Sequence, residues 1–309
     1  MARQVPTYKT GYSGTEYVPN KNSVYDDINK IAFQLIREVT TNDKLAVFDK
    51  MPINNGDTVE QMVVKLLESK AYDKTGAGAL SRKQADLAVR YFKDWNRIKF
   101  ETTVDVSELR KIMLSGGDYT EVADKIVSVL SQSDMYDKYL NIKGLLKFGT
   151  QVGSNGAEDT AFVNLGDVPA VNGKVDYAGV TKKIKNTLSG MSFVSDKYNK
   201  AGILQQSKVE DDILVIMPYT LRNELDVDFL AGLFNLEKAE VDKRILTIDT
   251  DDNIVYIVDR NAILVFTRLY MMLNQQNADG AFWNYFLHIE RMYALSPLFN
   301  ACYFTVLTA

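Results

Sequence analysis

The sequence predicts an α+β fold, and three features carry the prediction. Val122, Ile126, Val129, Leu130, Ser133, Tyr136 and Leu140 keep helical spacing along one run from about 118 to 148. Short aliphatic runs at 213–217, 244–248 and 254–258 read as strands. The closing segment, 254–304, is dense in aromatic and aliphatic residues, yet Asp259, Arg260, Arg268, Asn274, Asn277, Asp279, Glu290 and Arg291 interrupt it. No apolar run there reaches the roughly 18 residues that a membrane span needs. The segment therefore has to bury itself in a folded core or against other copies of the chain.

The elements follow in order. Residues 1–22 are polar, rich in tyrosine and without periodicity, and they read as an arm. They contain no apolar stretch of the kind a secretory signal needs. Val24, Ile28, Ile31, Phe33, Leu35 and Ile36 place a first helix within 23–42, with Ser23, Asp26 and Asp27 at its start. Leu45–Phe48 reads as the beginning of a strand, and Asn54-Asn55-Gly56 as a turn. Val59, Met62, Val63, Leu66 and Leu67 fit one face of an amphipathic helix over 58–72. The stretch around Gly76 and Gly78 is a flexible tip, and 86–106 is extended, with alternation across 97–103.

Asp118 with Glu121 has the spacing of a capping box ahead of the long helix, whose some 30 residues would span roughly 45 Å. Residues 149–175 are glycine-rich and weakly patterned and read as a loop or a domain junction. A helix follows at 177–188, then the strand 213–217 ended by Pro218, then a short helix at 227–235. The strands 244–248 and 254–258 flank Thr250-Asp251-Asp252-Asn253 and read as a hairpin. Residues 263–275 read either as a strand followed by a helix or as one long β segment, with strand first.

Composition excludes several functions. The chain has 309 residues, 46% hydrophobic and 25% charged, and a net charge of −4, so it carries no global basic footprint for nucleic acid. Lys182, Lys183 and Lys185 form the one tight basic cluster, and it reads as a solvated helix face. The single cysteine, Cys302, rules out an intrachain disulfide and fits a reducing compartment. Its apolar neighbours make it a small core residue.

Candidate chemistry is sparse. The single histidine, His288, sits in an apolar run and reads as a core or interface residue. One His and one Cys cannot make a tetrahedral zinc site of the usual kinds, nor does a nucleophile elbow occur. Asp249, Asp251, Asp252 and Asn253 resemble a calcium loop only superficially. The places that need Gly and Glu hold Ile254 and Arg260. Gly173-Lys174 is followed by Val175 and fails the phosphate-loop pattern. Asp211-Asp212 and Asp226/Asp228 have the look of caps and surface charge. No catalytic, cofactor-binding or metal-binding residue is therefore assigned.

The order of these segments, more than any one motif, resembles the major capsid (head) proteins of tailed bacteriophages, the small podovirus-like type. The strings that carry the resemblance are YNKAGILQQSKVEDDILVIMPYTLRNELDVDFLAGLFNLEKAEV, IVDRNAILVF, WNYFLHIERMYALSPLFNACYF and YDKYLNIKGLLKFG. The resemblance implies an N-terminal arm at 1–22, a helix at 23–42 and an extended-loop region at 43–105, departing from the family by an inserted helix. It further implies a peripheral domain at 106–175 containing a spine helix at 118–148, an axial α/β domain at 176–260, and a return to the peripheral domain at 261–309.

In function it implies self-assembly into an icosahedral or prolate shell around double-stranded DNA, with hexamers and pentamers of this chain. Scaffold, portal and decoration proteins would be partners. Contact with packaged DNA would be weak and non-specific, and there would be no membrane. The protein would be made in the host cytoplasm and reside in the virion. No enzymatic activity and no cofactor are implied. An encapsulin-like compartment would share the fold, and a tail tube would show more β pattern and no long helix. An enzyme with inconspicuous paired carboxylates is the alternative from another class. Trp283, Phe286 and Phe299 are expected to be buried.

Overall fold

A computed structural model describes residues 45–54, 57–67, 69–72, 74, 82, 84–105, 119–151, 161–171, 173–209, 211–225, 244–250, 252–277 and 279–307. The arm, the first helix, the Asp118 cap and the short helix expected at 227–235 lie outside these residues. The chain divides into two compact units. Among described residues, the first takes 97–105, 119–139, 269–277 and 279–290; the second takes the rest.

The second unit is built on a five-stranded sheet in the order β4-β10-β7-β5-β6. Its strands are β4 (Val163–Val168), β5 (Ile213–Pro218), β6 (Ile245–Ile248), β7 (Ile254–Asp259) and β10 (Ala301–Val306). β5 is buried at every position and β7 at all but its first. A central strand covered on both faces has no reason to alternate in polarity, hence the continuous run Ile213–Met217.

One face is covered by helix α2 (Tyr177–Met191), which buries Val180, Ile184, Thr187, Leu188 and Met191 at helical spacing. These pack on Ile213, Val215, Met217, Ile257, Cys302 and Phe304. Asp176 caps the helix, its carboxylate accepting from the Gly179 amide at 2.9 Å.

On the other face lies the last part of helix α1 (Tyr119–Thr150). Tyr303 donates its hydroxyl to the Thr150 carbonyl at 3.4 Å. Phe162 meets Tyr256 edge to face at 6.2 Å, and its ring also covers Gly149. Lys143 and Lys147 pair with Asp249 and Asp252, each at 3.2 Å.

Two strands forming a separate ribbon, β1 (Val59–Val64) and β2 (Leu87–Phe92), also belong to the second unit and pair antiparallel. The first unit contains most of β3 (Asn96–Asp105) and the distal halves of β8 (Ile263–Asn277) and β9 (Phe282–Leu295). These three strands form a sheet in the order β3-β9-β8. Leu130 of α1 packs there on Leu287 and Ile289, with Ile98, Phe100 and Tyr285 alongside.

Several sequence expectations hold. The long helix, the helix starting at Tyr177 and the strand ending at Pro218 are present, and the stretch expected as extended at 86–106 holds β2 and β3 within its described residues, 86–105. Others are corrected. The segment expected as a helix at 58–72 holds strand β1 at Val59–Val64 and no helix among its described residues. Its stripe suits a helical period, but Val59, Met62, Val63 and Val64 pair in register with β2, and pairing overrides local periodicity. Leu45–Phe48 is not a strand start but a single 3-10 turn at Ala46–Phe48, followed by a bridge from Asp49 to Val265.

The loop expected at 149–175 contains β4, paired parallel to β10. β6 and β7 are not a hairpin, because β5 lies between them, parallel to β6 and antiparallel to β7. The turn residues between them bind α1 instead. Residues 263–277 are one continuous strand, the second of the two readings. In α1 the predicted stripe is displaced: Val129, Tyr136 and Leu140 are exposed, while Leu130, Asp134, Lys138, Ile142 and Leu146 are buried. Four-residue spacing, charged members included, sets the buried face.

Gly149 supplies a sharp test of the packing. Alanine is the better helix former by about 1 kcal/mol. Here, however, an added Cβ would stand 2.5 Å from the ring of fully buried Phe162. Gly149→Ala should therefore destabilise the protein by about 1–3 kcal/mol, as overpacking does. Denaturant unfolding checks this, and a stabilised variant would refute the packing.

Candidate functional site

Where they are described, the residues that sequence reasoning considered for chemistry stand in packed or ion-paired surroundings. His288 is half-buried, its ring 6.3 Å from that of Phe286. Cys302 is fully buried; burial pushes its thiol well above the ordinary range, and Sγ contacts the Ile257 carbonyl at 3.6 Å. A thiol held neutral and out of solvent is a poor nucleophile.

Asp249 and Asp252 hold lysines of α1, and Asp251 lies outside the described residues. No group of three His, Cys, Asp or Glu among the described residues could hold a metal ion. Asp211 pairs with Arg244, whose guanidinium donates to the Asp211 carbonyl at 2.8 Å. Asp226 and Asp228 lie outside the described residues.

The basic cluster is not simply solvated. Lys183 donates to the carbonyls of Gly166 and Asp167 at 3.0 and 3.2 Å and lies 5.2 Å from the centre of the Phe304 ring. Desolvation lowers its pKa despite nearby Asp167. It ties α2 to edge strand β4, while Lys182 and Lys185 are exposed. Gly173 takes a positive φ of 71° in the turn that brings Val171 and Lys174 together. Trp283, Phe286 and Phe299 are half-buried rather than fully buried.

What stands out instead is a surface. In the ribbon, Met62 lies opposite Val89, Val64 opposite Leu87, and Glu60 opposite Tyr91. Directly opposed residues share a face. Met62, Val64, Leu87, Val89 and Tyr91 thus form one apolar face, and it is open: Met62 is 57%, Val64 59% and Tyr91 59% exposed. Leu66 and Leu67, just past β1, are also exposed. Large contiguous apolar exposure of this kind marks an interaction surface. Single-sequence reading missed it because the face exists only once the two strands are in register.

The opposite face holds the ribbon down. Val59 and Phe92, opposed at its base, pack with Leu264 and Met292, flanked by Ile53, Trp95, Phe266 and Ala294. The Arg268 guanidinium sits 4.4 Å over the Trp95 ring. Gln61 donates to the Asn261 carbonyl at 3.2 Å, and Lys50 to the Arg260 carbonyl at 2.7 Å and Asn261 Oδ1 at 3.2 Å.

That anchoring turn rests on a buried polar network. Asp259 Oδ1 accepts from the Asn261 amide at 2.8 Å, while Ser207 Oγ reaches Oδ2 at 3.5 Å. Asn300 donates to Ser207 at 2.9 Å and accepts from Asn199 and Gln205. Desolvation raises the Asp259 pKa to about 6, with Asp212 adding to the rise; the Asn261 amide, Lys50 and Ser207 pull the other way.

These surfaces, rather than any reactive cluster, agree with the comparisons. The sequence matches the family described as Phi29-like phage major capsid protein over residues 8–305. The chain belongs to that family. It is 25% identical over 284 residues to the major capsid protein of Bacillus phage PZA, covering 90% of this chain and 62% of that protein. It is 24% identical over 296 residues to that of Streptococcus phage Cp-1, covering 88% of this chain and 79% of that protein. The chain thus spans less than two thirds of the PZA relative.

Among solved structures, a chain from the capsid of Staphylococcus phage Andhra aligns with a TM-score of 0.68 at 14% identity, covering 98% of this chain and 91% of that one. A chain from the capsid of cyanophage P-SCSP1u gives 0.56 at 11% identity, covering 99% and 94%. The α+β architecture is therefore that of tailed-phage capsid subunits, and the family is one of structural virion proteins.

Asp259 predicts a pH dependence. Between its ordinary pKa of 3.8 and its folded value of about 6, the folded chain keeps a proton that the unfolded chain has released. Its contribution to stability therefore falls as pH rises through that window and is flat above it. Asp259→Asn should gain on the wild type from about pH 4 to 6 and hold a constant difference at higher pH. Denaturant midpoints over that range measure it, and parallel curves would contradict it.

Proposed function

We propose that many copies of this chain assemble into an icosahedral or prolate shell that encloses the double-stranded DNA of a tailed phage. The observation that carries this reading is the open apolar face of the β1–β2 ribbon on a subunit whose other face is firmly anchored. A surface that the subunit cannot bury itself is suited to a neighbour, and contacts repeated by symmetry build closed assemblies. Exposed Leu140 and Phe148 on α1 add apolar area within the same unit.

In this reading, residues 1–22 are an arm and 43–105 form an extended loop laid over a neighbouring subunit. Residues 106–175 and 261–309 make a peripheral domain, and 176–260 an axial domain around five- and six-fold axes. Scaffold, portal and decoration proteins are the partners, and synthesis takes place in the host cytoplasm. The net charge of −4 suits weak, non-specific contact with packaged DNA.

The test is assembly. The purified chain, with a scaffold protein where one is needed, should form particles tens of nanometres across by negative-stain microscopy. Met62→Lys with Val89→Glu should abolish the particles while leaving subunit stability within roughly 0.5 kcal/mol, because both side chains are already exposed and the two new charges, opposed across the ribbon, are opposite in sign. Normal particle yield from the double variant would overturn the ribbon's role. A chain that stays monomeric under all conditions would overturn the shell.

A further inference from the structure

The distal half of β8 raises a separate question. It is one of the two edges of the three-stranded sheet among the described strands, β3 being the other. Every residue from Tyr270 to Asn277 is exposed, and the apolar part, Tyr270, Met271, Met272 and Leu273, runs from 40% to 51%. One face leads toward α1, where Ser131 Oγ and the Tyr270 hydroxyl stand 3.3 Å apart. Residues of both alternating sets are nonetheless exposed, so neither face is closed over along this stretch, and the strand order leaves its outer edge unpaired among the described strands.

Edges are normally blunted by Lys, by Pro, by bulges or by brevity. None of the first two occurs here: between Arg268 and Asp279 the sequence is LYMMLNQQNA, without one charge or proline. An uncharged, β-prone edge of this length is a template for another strand.

We propose that β8 pairs antiparallel, across a two-fold axis, with β8 of a second copy of this chain. The proposal rests on the reading that the chain assembles with itself. A two-fold axis normal to a continuous sheet keeps each residue on its own face, so residues of equal parity meet. Centred on Leu273, the pairing sets Leu273 against its own counterpart, Met272 against Asn274, Met271 against Gln275 and Tyr270 against Gln276.

The stretch carries no charge, so the pairing sets no like charges opposite one another, least of all at the axis, where a residue must meet its own copy. The flanks also select the direction. Antiparallel pairing brings the Arg268 end of one copy to the Asp279 end of the other, whereas parallel pairing would set like beside like. The contact is isologous, and so distinct from a ribbon laid over a neighbour.

Cysteine cross-linking tests it cleanly, because Cys302, the single native cysteine, is fully buried. Opposed residues on paired strands bring Cα atoms to about 4.5–5.5 Å, within disulfide reach. Met272→Cys, Leu273→Cys and Asn274→Cys, made singly in the full chain, should give a disulfide-linked dimer on air oxidation at the position nearest the axis. Val194→Cys, equally exposed but far along the chain, should give none.

Leu273→Lys should abolish the dimer without lowering thermal stability, since it sets two ammonium groups face to face at an exposed site. Linked dimers without particles would support the strand pairing and overturn the shell. Particles with no link at any of the three positions would overturn the pairing and leave the shell standing. A dimer that survives Leu273→Lys would also overturn it.

Discussion

Two-sided burial of the five-stranded sheet is the constraint from which the rest follows. β5 has no exposed position and β7 almost none, so each face of the sheet needs a cover. The chain supplies α2 for one face. For the other it uses the end of α1, fastened by Lys143, Lys147 and the Phe162–Tyr256 contact. It must also bring its own end back, because β10 lies between β7 and β4 and carries Cys302 and Phe304 into the core. A sheet completed by residues more than 130 apart in sequence closes late and cooperatively, since distant pairing rewards the chain only after its loop entropy is met.

Once that core is closed, the remaining apolar surface has nowhere to go within the second unit. The β1–β2 ribbon shows the consequence. An isolated two-stranded ribbon is marginal in water. Here it is held through one face only, by Val59 and Phe92 below and by Gln61 at the turn after β7. Its other face stays open. Anchoring of this kind matters for association. Ordering a loop on binding costs free energy, and a ribbon already fixed at its base has less freedom left to lose.

How far the sequence revealed this depended on the range of the interaction. Ile213–Met217 was legible because a strand buried on both faces is apolar at every position. The helix starting at Tyr177 was legible because its cap and its apolar stripe agree. The stretch at 58–72 was misleading: Val59, Met62 and Val63 satisfy a helical period, and only the partner strand, more than twenty residues away, decides otherwise. The same holds for β6 and β7, whose connecting residues look like a hairpin turn although β5 separates the strands. In α1 the buried face includes Asp134 and Lys138, so an apolar stripe alone pointed to the wrong side. The open face of the ribbon was invisible for a related reason, since a face shared by two strands is a property of their register.

The buried polar groups bear on why such a subunit keeps one geometry. Hydrophobic burial is non-directional and would tolerate small slips of the β7–β8 turn. Asp259, Asn300, Ser207, Asn199 and Gln205 would not, because each amide or carboxylate in the network has its partner only in one arrangement. Burying Asp259 costs stability, as the upward push on its pKa records. What is gained is a fixed position for Arg260 and Asn261, the residues that receive Lys50 and Gln61. In the proposed shell, a subunit that meets many copies of itself needs its outward elements aimed reproducibly. Polar specificity in the turn, more than apolar area in the core, sets that aim.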